Sequence, residues 1–134
     1  MGILMNPSLK SKAGLGRIWR AFLYSLEGLK AAWTHEHAFR QELALAIVLV
    51  PVAVWVDVPP LERALLFCAR LLVLIVELLN SSIEAVVDRF GPEIHELAKR
   101  AKDIGSAAVF LADIVFLILW GTILWPVVRK SIGG

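Results

Sequence analysis

The chain holds 134 residues, 58% of them hydrophobic, with a mean hydropathy of +0.72 and a formal charge of only +2. Soluble domains carry about 45–50% apolar residues, so the composition points to a membrane protein, and the small charge excludes the bulk basic character of a nucleic-acid binder. At about 20 residues per crossing there is room for about three spans and no second domain.

Residues 1–14, MGILMNPSLKSKAG, read as a mobile tail. They lack the apolar core of a signal peptide, and Asn6 departs from the Met-Gly-x-x-x-Ser/Thr acylation pattern, so insertion is expected to rely on internal spans. From Leu15 to His35 the apolar residues Leu15, Ile18, Trp19, Phe22, Leu26, Leu29 and Trp33 recur at spacings of three and four, with Arg17, Arg20, Tyr24, Glu27 and Lys30 between them. This pattern predicts an amphipathic helix over 15–35 lying in the membrane interface, with its tryptophans at headgroup depth.

A first span is expected over about 39–58, with Pro51 inside it and a tight turn at Asp57-Val-Pro-Pro. A second, over 61–90, is interrupted by Arg70 and Glu77 and ended by Gly91-Pro92. Cys68, the only cysteine, excludes an internal disulfide or thiolate metal cluster and is expected to serve packing. Glu93 to Asp103, EIHELAKRAKD, reads as a charged, partly helical connector, and 105–128 as a third span broken only by Asp113.

Lys10, Lys12, Arg17, Arg20, Lys30 and Arg40 on the amino-terminal side, and Arg89, Lys99, Arg100 and Lys102 in the long connector, place both on the cytoplasmic side; Arg129 and Lys130 are a minor violation. Trp55, Trp120 and Trp125 are then expected to form an aromatic belt at the outer interface.

The segment ELLNSSIEAVVD, Glu77 to Asp88, is where chemistry concentrates. At about 100° per residue, Glu77, Asn80, Glu84 and Asp88 share one narrow helical stripe, Glu84 and Asp88 falling about 10 and 16 Å beyond Glu77 toward the cytosol. Each ionisable group in a span is costly, so four aligned polar groups favour function over simple pairing with Arg or Lys in a bundle. Oxygen-only donors suit Mg²⁺. Glu84, nearer water, is the better metal candidate; Glu77, nearer lipid, is better placed as a general base toward a lipid hydroxyl. His35 and His37, two apart, point in different directions and are read as solvated. Glu36 between them could complete a metal site only if its helix packs against the cytoplasmic end of the second span. No Walker-type phosphate loop is present, so a nucleotide site would have to be assembled from scattered side chains, with Arg17, Lys99, Arg100 and Lys102 supplying positive charge or, equally, attraction to lipid headgroups.

Two stretches, RAFLYSLEGLKAAWTHEHAFRQE and VELLNSSIEAVVDRFGPEIHELAKRAKDIGSAAV, resemble the signature segments of the small bacterial integral-membrane diacylglycerol kinases, over roughly residues 15–128. The resemblance implies an all-α membrane fold, with three transmembrane helices and a surface helix, assembled as a homotrimer with active sites shared between subunits in the bacterial cytoplasmic membrane. It implies transfer of phosphate from MgATP to diacylglycerol, giving phosphatidic acid. By that resemblance Glu77 is the catalytic base, Asn80 organises the site, and Glu36 and Glu84 hold the Mg²⁺. Arg17, Tyr24, Glu93, His95, Lys102 and Asp103 would contact ATP, and Arg17, Lys30, Trp33, Gln41, Glu77 and Ser106 would line the lipid site.

Arg70 and Asp113 depart from the family's apolar pattern. Their matched depth, about 10 Å from Glu77 and about 12 Å from Gly105, predicts an ion pair between the second and third spans, within or between subunits. An undecaprenol kinase of the same fold is the nearest alternative; a small proton-coupled or cation transporter is more remote, since it predicts acidic groups nearer the bilayer midplane.

Overall fold

The computed structural model describes residues 14–92 and 95–134. Their regular structure is helical: α1 (Leu15–His35), α2 (His37–Trp55), α3 (Pro60–Asp88) and α4 (Glu96–Ile132). By length and composition α2, α3 and α4 can each cross a membrane. The expected tail lies outside the described residues apart from Gly14.

The chain divides into two compact units at His35/Glu36. In the first, α1 carries Leu15, Ile18, Trp19 and Phe22 exposed along its length. The second contains α2, α3 and α4. Glu36, in extended conformation at φ −111° and ψ 109°, is the N-cap of α2 and supplies no side-chain cap.

Several boundaries differ from the sequence expectation. α2 stops at Trp55, where Val56 turns extended, rather than near residue 58. Pro60 opens α3 in its first turn, where a missing N–H costs no helical bond. α3 ends at Asp88, and Gly91 with φ +99° turns the chain in a conformation that glycine tolerates best. The connector is helix from Glu96 onward and runs without a break into the third span, ending at Ile132. Lys99 to Asp103, an i,i+4 pair at 2.6 Å, supports that continuous turn.

α3 packs against both α4 and α2. In lipid, helix association relies on close packing and interhelical hydrogen bonds rather than on expelling water. The core accordingly mixes small and large side chains, Ala53, Val58, Leu66, Ala69, Trp120 and Ile123. Trp120 is only 7% exposed, and its indole N–H donates to the Leu66 carbonyl at 3.1 Å. It therefore ties α4 to α3 and is not part of an interfacial belt; Trp55 and Trp125 remain exposed. Cys68 likewise faces outward instead of packing in the core.

Arg63, in the first turn of α3, folds back over the end of α2. It donates to the Ala53 carbonyl at 2.7 Å and the Val56 carbonyl at 3.0 Å, and to the Val54 carbonyl. These are carbonyls that the helix end cannot satisfy by itself, and a cation there also complements the helix dipole. Arg63→Ala should therefore destabilise the micellar protein by about 1–3 kcal/mol, read as a lower midpoint in thermal or denaturant unfolding; an unchanged midpoint would rule out the cap.

Candidate active site

Glu77, Asn80 and Ser81 lie on the buried face of α3, with Glu77 5% and Asn80 8% exposed. Along the same stripe Glu84 is half-buried and Asp88 is exposed, so burial falls toward the C-terminus of the helix. Asn80 sits one turn before Glu84, and its amide Nδ2 donates to Glu84 Oε1 at 3.2 Å. The amide thereby holds the carboxylate in a fixed orientation. Asn80 Oδ1 is fully buried and has no hydrogen-bond partner among the described residues.

Opposite Asn80 stands Gly105 of α4, also buried. A β-carbon on Gly105 would collide with Asn80 Oδ1 and lie 3.3 Å from its Cγ. The absence of a side chain at 105 is thus what admits Asn80 between the two helices.

Around Glu77 the structure gathers further acid. The carboxylates of Glu42 on α2, Glu84 on α3, Asp113 on α4 and Glu36 at the α2 N-cap all lie within electrostatic range of it. Glu42 escaped sequence reading: it stands just before the first apolar run, outside the α3 stripe, and only the packing of α2 on α3 brings it in. Arg70, 3% exposed, pairs with it. Arg70 Nη2 contacts Glu42 Oε2 and donates to the Glu42 carbonyl at 2.8 Å, while the guanidinium lies 5.3 Å from the Phe116 ring centroid. Within the chain the partner of Arg70 is therefore Glu42 and not Asp113. Matched depth put Asp113 in range, where it interacts electrostatically with Arg70 and Glu42, but the close contact goes to α2.

At the other end of the stripe Lys102 Nζ meets Asp88 Oδ1 at 2.5 Å, joining the start of α4 to the end of α3. His95 caps α4, its Nδ1 accepting from the Leu97 N–H at 3.1 Å. Asp88, Phe90, His95, Ala98, Lys99 and Lys102 line a hollow of about 770 Å³ there. Asp103 points to Lys99 instead. Gln41 and Ser106 are exposed on α2 and α4. Arg17, Tyr24, Lys30 and Trp33 are exposed on α1, in the other unit. Glu93 lies outside the described residues.

Among the described residues no three His, Cys, Asp or Glu side chains converge as a ready metal cage. Mg²⁺ does not require one: it is held by one or two carboxylates and keeps water and phosphate oxygens for the rest of its shell. A carboxylate oriented by an amide whose own oxygen is buried without a partner is a donor set of that hard-oxygen kind.

Three apolar helices enclosing a buried carboxylate–amide site define a multi-pass membrane protein with acid–base capacity. A family model described as prokaryotic diacylglycerol kinase matches residues 23–124. The chain is 54% identical over 112 residues to a diacylglycerol kinase of Escherichia coli strain K12, covering 84% of this chain and 92% of that protein. It is 54% identical over 121 residues to one of Pseudomonas aeruginosa, with 90% and 98% covered, and 44% identical over 117 residues to one of Helicobacter pylori strain 26695, with 87% and 91% covered. The chain belongs to the prokaryotic diacylglycerol kinase family and is a kinase.

Proposed function

We propose that the chain transfers the γ-phosphate of MgATP to the free hydroxyl of diacylglycerol, giving phosphatidic acid and ADP. The observation that carries this reading is the buried Glu77 one turn from the Asn80–Glu84 pair on a membrane helix. Glu77 takes the hydroxyl proton as the lipid oxygen bonds to the γ-phosphorus and the bond from that phosphorus to the bridging oxygen of ADP breaks. Asn80 keeps Glu84 oriented. Glu84 and Glu36 would hold Mg²⁺, which supplies charge neutralisation on the phosphates when bound.

Lys102, His95 and Asp103, with Arg17, Tyr24 and Glu93, serve the nucleotide in this reading. Gln41 and Ser106, with Arg17, Lys30 and Trp33, serve the lipid. This reading puts the nucleotide by Lys102 and His95, beside the hollow at the end of α3. In the same reading α1 lies along the interface, the enzyme works on the cytoplasmic side of the inner membrane, and subunits of a homotrimer share their sites.

The test is purified protein in mixed micelles with MgATP labelled in the γ-phosphate and either diacylglycerol or undecaprenol as acceptor. Labelled phosphatidic acid is the expected product. Transfer to undecaprenol alone would reassign the acceptor, and transfer to neither would end the reading.

A further inference from the structure

The phosphotransfer scheme leaves unused the most deeply buried charged side chain among the described residues. Arg70 is 3% exposed, its Nε has no hydrogen-bond partner among the described residues, and its guanidinium is committed to Glu42 and to the face of Phe116. A cation at such a position is costly unless it is held by an anion and put to use. Its double contact with Glu42, to the side-chain Oε2 and to the backbone carbonyl, fixes both the carboxylate and the strand of helix that carries it. That carboxylate is one of the acidic groups gathered around Glu77.

We propose that Arg70 is a positioning residue for phosphotransfer: it anchors Glu42 of α2 to α3 and so fixes how that carboxylate stands against Glu77. The inference rests on Glu77 being the base. Among the described residues, the charged groups that interact with Glu77 or Asp113 include Glu36 at the N-cap of α2, Glu42 of α2, Arg70 and Glu84 of α3, and Asp113 of α4. Freed from Arg70, Glu42 would swing, and the acids around Glu77 would lose their bound countercharge.

The experiment compares wild type, Arg70→Leu, Arg70→Lys, Glu42→Gln and the Arg70→Leu/Glu42→Gln double variant in micelles. Arg70→Leu is expected to lower kcat at least tenfold while KM for MgATP stays within about threefold, and Arg70→Lys to recover most of it. In the Glu42→Gln background Arg70→Leu should cost little more, because its effect passes through Glu42. Carbon-13 NMR of carboxyl-labelled glutamate is the second readout. The Glu77 signal, assigned by its loss in Glu77→Gln, should move in Arg70→Leu and return in Arg70→Lys.

Multiplicative losses in the double variant, or a Glu77 signal indifferent to Arg70, would overturn the proposal and leave Arg70 a purely structural tie. If wild type phosphorylates no lipid alcohol, the functional reading fails, and the NMR arm alone decides whether Arg70 positions Glu42 against Glu77.

Discussion

Glu77→Gln should lower the rate of phosphatidic acid formation by about 10²- to 10⁴-fold, the span associated with loss of a positioned acid–base group. Glutamine keeps the volume and removes the carboxyl group that would take the proton. Glu77 is 5% exposed and sits among other carboxylates, so its replacement by a neutral group removes a buried charge from an acidic cluster and should leave the fold at least as stable. Initial rates of label transfer, paired with the thermal unfolding midpoint by circular dichroism, separate the two effects. A variant that unfolds at the wild-type temperature yet transfers phosphate at more than a tenth of the wild-type rate would remove Glu77 as the base. Asp88→Asn is the useful contrast on the same stripe. Its side chain is 64% exposed and paired to Lys102 at 2.5 Å, a contact in water that carries little energy. Its rate should fall by less than about tenfold, because an exposed ion pair can be replaced by water.

The stripe itself could be read from residue spacing, because a helix of 3.6 residues per turn fixes which side chains share a face. Spacing along one helix says nothing about which neighbour meets that face. Arg70 illustrates the gap. Depth along the span singled out Asp113, yet α2 packs on α3 with Glu42 within contact distance of Arg70, and the periodicity of one helix does not say which residue of a neighbour meets its face. Trp120 misled for a related reason. A tryptophan near the end of an apolar run suits an interfacial belt, but the same indole can donate inward, and a facing Leu66 carbonyl accepts it. The connector was legible only in part: its charges and Gly91-Pro92 mark the turn, whereas the helix that starts at Glu96 carries charged side chains, with Lys99 paired to Asp103 and Lys102 reaching Asp88, that lie outside any apolar pattern. Arg63 belongs to no apolar pattern, and its role depends on the end of α2 presenting its carbonyls to it.

Gly105→Ala should be the most damaging substitution of a single methyl group. Of the glycines in α4, Gly105 faces the Asn80 side chain at a distance that no β-carbon can share, whereas Gly121 has nothing within 4 Å of the same added atom. An alanine at 105 forces either the helices apart or Asn80 out of its seat. Separation sacrifices packing, at about 1–3 kcal/mol for an overpacked site. Displacement of Asn80 breaks its 3.2 Å bond to Glu84 and frees a half-buried carboxylate to rotate. Either outcome disturbs a reaction that depends on positioning, and a misplacement of about 1 Å can cost about a hundredfold in rate. The expected result is therefore a loss of about 10²-fold in phosphotransfer for Gly105→Ala, with a lowered unfolding midpoint, against near-wild-type rate and stability for Gly121→Ala. Both positions lie inside α4, where alanine outranks glycine in helix propensity, so propensity alone would predict a slight gain at either. Equal behaviour of the two variants would show that the contact between Gly105 and Asn80 does not govern the site. A drop in unfolding midpoint confined to Gly105 that is relieved by Asn80→Ser, whose shorter side chain vacates the collision, would tie the packing damage to that one contact and not to the helix as a whole.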